Sequence, residues 1–154
     1  MKVYRIQKSK YGTDISGKGS NMVSGRWNLK GHLLILYTAE NRSLALLEKI
    51  ESFSIAPNIK LPAFILLEIE VPDKKIFFLE DKKLPDQWSL PNDYSSSQRF
   101  GMNWLKGNKS LALSVPSAIS FDRNILINSQ HPDFNLVRVT DSIDNFPIDR
   151  RLRK

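Results

Sequence analysis

At 154 residues, with 41% apolar and 25% charged residues, the chain has the size and composition of one folded domain with a sizeable core, which excludes a disordered segment. It has no cysteine, which excludes a disulfide framework, a thiolate metal site and a cysteine nucleophile, and leaves no need for an oxidising compartment. Its first residues carry no apolar leader and no stretch approaches the ~18 apolar residues of a membrane span, so a soluble, unprocessed cytoplasmic protein is expected; the net charge of +7 suits nucleic acid, an acidic protein surface or a phosphorylated small molecule without choosing among them.

Residues 1–6 read as a short strand, and residues 8–24, rich in Gly, Ser and Lys, as a long loop. In that loop Gly12, Gly17, Gly19 and Gly25 permit positive φ and close backbone approach, which suits a phosphate lined by amides and equally suits a plain mobile loop. The apolar run Leu33-Leu34-Ile35-Leu36-Tyr37 after Gly31 predicts a buried strand with Tyr37 at its carboxyl end. Asn41 or Ser43 then offers a helix cap, and Leu44, Ala45, Leu47, Ile50 and Phe53 give helical spacing through about Ser52.

Two further strands are predicted over 63–71 and 75–79, and an irregular stretch with Pro85 and Pro91 over 80–93. Residues 94–106 predict a helix, with Ser95 or Ser96 as its cap and Phe100, Met102, Trp104 and Leu105 as apolar positions. A strand over 110–115 ends at Pro116, which hands the chain to a turn carrying Ser117. Strands over 124–128 and 136–140 follow, joined by the turn-forming His131-Pro132-Asp133. Many strands with two or three helices argue for a single α+β domain over 1–154, built on twisted mixed or antiparallel sheet.

Basic residues cluster at Arg150-Arg151-Leu152-Arg153-Lys154, whereas Lys74-Lys75 and Lys82-Lys83 stand among acidic residues, as solvated loop charges do. Glu48 lies near the apolar face of its helix, with no cation three or four residues away and Lys49 projecting elsewhere, so a local salt bridge is unavailable to it. Such a carboxylate faces a cleft or finds a distant partner; spacing alone favours a surface residue at the edge of the apolar stripe, and the surrounding motif reverses that preference.

Tyr4-Arg5-Ile6, Ser24-Gly25-Arg26-Trp27-Asn28, Leu36-Tyr37-Thr38-Ala39, Ser43-Leu44-Ala45-Leu46-Leu47-Glu48, Val115-Pro116-Ser117-Ala118 and Asn128-Ser129-Gln130-His131-Pro132-Asp133-Phe134 follow one another in the order found in the RES domain. The chain resembles that family, named for its Arg, Glu and Ser, over nearly its whole length. Ser24 stands where a second glycine often precedes Gly-Arg-Trp-Asn, and Ser129 where proline often follows the asparagine; both departures bear on loop shape more than on chemistry. The resemblance implies an ADP-ribosyltransferase-like fold and a toxin of a bacterial toxin–antitoxin pair. It also implies NAD as a substrate to be consumed, not a cofactor, and an Xre-type antitoxin as partner, with nucleic acid met only through that antitoxin.

The implied reaction breaks the nicotinamide–ribose bond with water or phosphate as acceptor, so that NAD is depleted and growth arrested. Its barrier is positive charge developing on the sugar, which makes electrostatics the main lever. The resemblance gives Glu48 the ribose hydroxyls and that cation, Arg5 and Arg26 the phosphates or nearby carbonyls, Tyr37 the border of the nicotinamide, and Ser117 a hydrogen bond to it or to the attacking water. Read singly, the arginines suit surface ion pairs, Tyr37 a half-buried core aromatic and Ser117 a turn cap. Trp27 is assigned to packing and His131 to its turn. No metal site is expected from two isolated histidines, and Gly17-Lys18-Gly19 lacks the βαβ unit of a dinucleotide fold. Two alternatives remain: transfer of ADP-ribose to a protein, and a basic RNA-binding or ribonuclease-like module using Trp104 near Lys106 and Lys109.

Overall fold

The computed structural model describes residues 1–31, 34–52 and 61–152. The strands are β1 (Lys2–Lys8), β2 (Ile35–Ala39), β3 (Phe64–Glu70), β4 (Ile76–Phe78), β5 (Ala112–Pro116), β6 (Arg123–Asn128) and β7 (Arg138–Ile143). The helices are α1 (Lys18–Met22), α2 (Arg42–Glu51) and α3 (Ser95–Gly107). All seven strands join one sheet in the order β4-β5-β6-β2-β1-β3-β7, antiparallel except for β4 beside β5, so the α+β expectation holds.

Alternation along the strands divides the core between the two faces of the sheet. Leu36, Ile125 and Ile127 pack with Val3, Leu67 and Ile69 on one face. On the other, Leu113, Leu126 and Ile35 meet Met102 and Leu105 of α3, while Ile6 and Ala39 meet Leu44 and Ala45 of α2. The two helices therefore sit side by side over the same face. Gly101 lets α3 come this close, because a Cβ there would lie 2.0 Å from the carbonyl oxygen of Trp27.

Several expectations are corrected. β2 begins at Ile35, which puts Tyr37 in mid-strand and not at the carboxyl end; Leu33, and Phe53 beyond α2, lie outside the described residues. The presumed loop over 8–24 contains the end of β1, a 3-10 turn at Ser9–Tyr11 and α1. β1 runs to Lys8 because that residue still pairs with Phe64. α1 is held by polar bonds rather than by an apolar stripe: Ser20 Oγ donates to the Gly17 carbonyl and accepts from the Ile35 amide, so hydropathy does not reveal it. Of the four glycines singled out there, Gly12 and Gly17 have positive φ, whereas Gly19 lies within α1.

Neither Ser95 nor Ser96 caps α3. Tyr94 occupies the cap position without a side-chain bond, and the Asp93 carboxylate accepts from the Ser95 amide at 2.9 Å. The strand expected over 136–140 is displaced, since Pro132–Leu136 forms a 3-10 helix and β7 follows it as an exposed edge whose residues lack apolar alternation. His131 does hold its turn, its Nδ1 accepting from the Asp133 amide. Among the described residues no helix is long and apolar enough to cross a membrane.

Candidate active site

β1 is in register with β3 from Lys2 opposite Glu70 to Lys8 opposite Phe64, but it meets β2 only at Tyr4 opposite Ala39. On either side of that pair the strands part. Backbone groups along such a seam need other partners, and Arg5 supplies one: its Nη1 donates to the Tyr37 carbonyl at 2.8 Å while Nε donates to Gln7 Oε1. Burial lowers the Arg5 guanidinium from its ordinary value, with Asp14 acting weakly in the other sense, yet so strong a base stays charged. Over the seam, between α2 and the start of α3, lies a cavity of about 400 Å³. That is the size of an ordinary small-molecule site.

One wall is the Gly25-Arg26-Trp27-Asn28 segment, and each residue in it has a distinct reason. Gly25 has no room for a side chain, since a Cβ would lie 2.8 Å from both Asn28 Oδ1 and the Tyr37 hydroxyl. Trp27 is buried and stacks on Trp88, with ring centroids 5.9 Å apart, in the packing role expected of it. Asn28, fully buried, donates to the Ser20 and Val23 carbonyls and accepts from the Gly25 amide. These contacts turn Arg26 toward the cavity, where its guanidinium lies over the Tyr94 ring at 4.4 Å. Nη1 of Arg26 is committed to the Trp88 and Leu90 carbonyls, leaving Nε and Nη2 without hydrogen-bond partners among the described residues.

Tyr37 rises from the sheet as part of the cavity lining. Its hydroxyl donates to Asn28 Oδ1 at 2.7 Å and accepts from the Trp27 amide, so its polar end holds the arginine-bearing segment in place. Burial pushes the phenol above its ordinary value, assisted by the Glu48 charge and opposed by the Trp27 amide and Arg26. It stays neutral at physiological pH.

Glu48 comes from α2. Asn41 caps that helix by accepting from the Leu44 amide, which resolves the choice between Asn41 and Ser43. Glu40 ties the entry of α2 to β6, its amide donating to the Arg123 carbonyl and its carboxylate accepting from the Arg123 amide. With Leu44 fully buried, Glu48 one turn later stands above Asn124. Its Oε1 accepts from Asn124 Nδ2 at 2.6 Å and from Ser117 Oγ at 2.8 Å. Oε2 has no hydrogen-bond partner among the described residues. Ser117 is buried, its oxygen also accepts from the Ile119 amide, and its neighbours Pro116 and Ala118 form cavity wall.

The structure thus brings Arg5, Arg26, Tyr37 and Glu48 to one cavity, with Ser117 bonded to Glu48 just behind its surface. One expectation fails here, because Lys49 does not project elsewhere but lines the same cavity. Burial, together with the like charges of Arg5 and Lys8, lowers its ammonium to about 8. A helical wheel separates neighbours by about 100° but takes no account of how far a lysine stem reaches. Asn124 also went unnoticed; its only signal is a polar residue opening the buried run Ile125-Leu126-Ile127. The two departures from the common pattern have local roles, with Ser24 Oγ accepting from the Lys30 amide and Ser129 Oγ donating to the Ser16 carbonyl.

The model of the RES domain matches residues 2–149. The chain belongs to the RES domain family. Similar RES proteins are a "Toxin Res" of Photorhabdus laumondii, 33% identical over 100% of this chain and 98% of that protein, and one of Yersinia enterocolitica, 33% identical over 99% and 100%. A "Prs ADP-ribosylating toxin" of a Sphingobium species is 36% identical over 78% of this chain and 75% of that one. In fold the chain matches the crystal structure of the M. tuberculosis MbcT–MbcA toxin–antitoxin complex, with a TM-score of 0.77 over 98% of this chain and 85% of that one, at 18% identity.

Proposed function

We propose that this RES protein is the toxin of a toxin–antitoxin pair and that it cleaves the nicotinamide–ribose bond of NAD. The observation that carries this reading is the Glu48 carboxylate, fixed at one oxygen by two neutral donors and without a hydrogen-bond partner at the other among the described residues, in a cavity that Arg5 and Arg26 also line. A fixed carboxylate is suited to the positive charge that grows on the ribose as its bond to the ring nitrogen breaks. The bonding electron pair passes to that nitrogen, which turns the pyridinium into neutral nicotinamide. Water then adds its oxygen to the sugar carbon and gives up a proton, so the products are nicotinamide, ADP-ribose and a proton. With phosphate as acceptor the product is ADP-ribose phosphate.

Nε and Nη2 of Arg26, without hydrogen-bond partners among the described residues, offer a fork for the diphosphate, and the flat ring of Tyr37 borders the nicotinamide. Ser117, whose single hydroxyl proton already goes to Glu48, acts through that carboxylate rather than directly on the substrate. The test is to incubate the purified chain with NAD, with and without phosphate, and to measure nicotinamide and the accompanying product. Release by the native chain and its loss in Glu48→Gln are expected; a chain that releases no nicotinamide refutes the reading.

The Sphingobium relative's name favours a second reading, in which the same first step delivers ADP-ribose to a protein. NAD labelled on its adenosine half separates the two, since transfer leaves label on protein and hydrolysis does not. The RNA-binding alternative keeps its net charge of +7 but is weakened at Trp104, which packs against the core and donates its Nε1 to Ser110 Oγ. The complex formed by the M. tuberculosis neighbour suggests an antitoxin partner here too, of the Xre type expected for the family. Such a partner would suppress nicotinamide release when added to the purified chain.

A further inference from the structure

We infer that Asn124 is a positioning residue for the reaction proposed above: by holding Glu48 Oε1 together with Ser117, it fixes the plane of the carboxylate and keeps Oε2 available to the ribose. The inference rests on the functional reading only for its kinetic consequences, since the geometry stands by itself. A carboxylate oxygen accepts and cannot donate, so the group of Asn124 at 2.6 Å must be its amide nitrogen. The Ser117 hydroxyl reaches the same oxygen at 2.8 Å from a different element, the turn after β5. Two donors converging on one oxygen remove rotation about the last torsion of the side chain, which is otherwise broad for a glutamate.

The position of Asn124 is itself fixed. It is the second residue of β6, opposite Ala39 on β2 and Val115 on β5, and so has ladder neighbours on both sides. The adjacent Arg123 is anchored by its guanidinium to the Leu79 and Ser114 carbonyls. Rigid strands thus reach across the cavity floor to orient a group on a helix, the arrangement a preorganised site needs. The charged groups sharing the cavity with Glu48 are Arg5 from β1, Arg26 from the preceding loop, and Lys49 and Glu51 from α2 itself. The phenols there belong to Tyr4, Tyr37 and Tyr94.

The test compares Asn124→Ala and Asn124→Asp with the native chain in kcat, KM and pH profile for nicotinamide release from NAD. Loss of one hydrogen bond to a charged group predicts that Asn124→Ala lowers kcat about 10- to 100-fold with KM nearly unchanged. Asn124→Asp sets a second carboxyl against Glu48; two such groups cannot both ionise freely, so the acid limb of the kcat profile moves up by about one pH unit or more. A purely structural role would scale the profile without moving that limb. Native kcat in Asn124→Ala, or an unmoved limb in a folded and active Asn124→Asp, overturns the inference.

A crystal structure of Asn124→Ala gives a readout independent of turnover. The Glu48 carboxylate is expected to leave its native plane while the α2 backbone stays in place, and an unmoved carboxylate would sink the idea. Should Asn124→Ala fail to fold, Asn124→Ser takes its place in both measurements, since its shorter hydroxyl cannot span the distance. A native chain inert toward NAD would overturn the proposed function, and the crystallographic outcome would still decide the role of Asn124.

Discussion

The two edges of β1 carry the same strand in opposite conditions. Toward β3 every residue from Lys2 to Lys8 has a ladder partner, and the paired strand is buried from Phe64 to Ile69. Toward β2 the pairing shrinks to Tyr4 with Ala39, and the space released is the cavity. The closed edge repays the entropy of ordering the chain with apolar burial and saturated hydrogen bonds. At the open edge, side chains replace the ladder: Arg5 bonds the Tyr37 carbonyl, and the Tyr37 hydroxyl bonds the next segment along. A sheet opened in this way exposes backbone and polar side chains at defined positions, which suits recognition of a polar ligand.

If the two edges are independent, a substitution at one leaves the property of the other unchanged. Leu67, fully buried on β3 opposite Arg5, belongs to the closed edge. Leu67→Ala is expected to lower unfolding free energy by about 2–5 kcal/mol in denaturant titrations, through lost transfer energy and a residual cavity. Turnover per folded molecule should not change. Glu48→Gln is the mirror case. Gln keeps an oxygen that accepts from Asn124 and Ser117, so the unfolding midpoint should stay put while kcat falls by about 10²–10³-fold, the usual cost of losing one preorganised electrostatic group. A large loss of stability in Glu48→Gln, or of kcat in Leu67→Ala, would mean the two edges are not separable.

Arg5 sits where the edges meet and should show a smaller, mixed effect. Arg5→Met keeps much of the stem but leaves the Tyr37 carbonyl and Gln7 Oε1 without their donors, at an expected cost of about 1.5–3 kcal/mol in the same titrations. The cavity also loses a fixed positive charge, so KM for NAD should rise. Arg5→Lys sharpens the point: a single ammonium cannot reproduce two divergent N–H donors, and restored stability in that variant would mean that charge, not the fork, holds the seam.

Much of the site was legible because its residues lie in short motifs with local reasons. The Asn41 cap and the Leu44–Ala45 face set α2 and the Ser43–Glu48 motif singles out Glu48 on it, while Gly25 and Trp27 flank Arg26 in one short motif even though they pack against the distant Tyr37 and Trp88. What stayed hidden depends on register between distant strands. Periodicity marks β1 and β2 as strands, but nothing in either says that they part after one pair, and so nothing predicts the cavity or that Asn124 would face Glu48 across it. α1 is hidden and β7 is displaced from the expected 136–140 for a related reason: one is held by hydrogen bonds and the other lies exposed at an edge, so neither leaves a clear apolar pattern.

Lys49 gives the smallest effect and the finest test of the open edge. Its ammonium is lowered to about 8 from an ordinary 10.5, chiefly by burial and then by Arg5 and Lys8. Below pH 8 the folded chain holds this charge at a cost, part of which the Phe64 ring, 5.7 Å from Nζ, offsets. Between about pH 8 and 10.5 the unfolded chain binds more protons at this residue than the folded one, so its contribution to stability rises with pH across that window. Tyr37 acts in the opposite sense, because a phenol pushed up by burial ionises first in the unfolded chain and stability falls above its ordinary value of 10.0. Subtracting the stability curve of Lys49→Met from that of the native chain cancels Tyr37 and leaves the lysine. The native-minus-variant difference is expected to climb from pH 8 to 10.5 and then level off; a flat difference would mean that the ammonium is as well solvated in the cavity as in water.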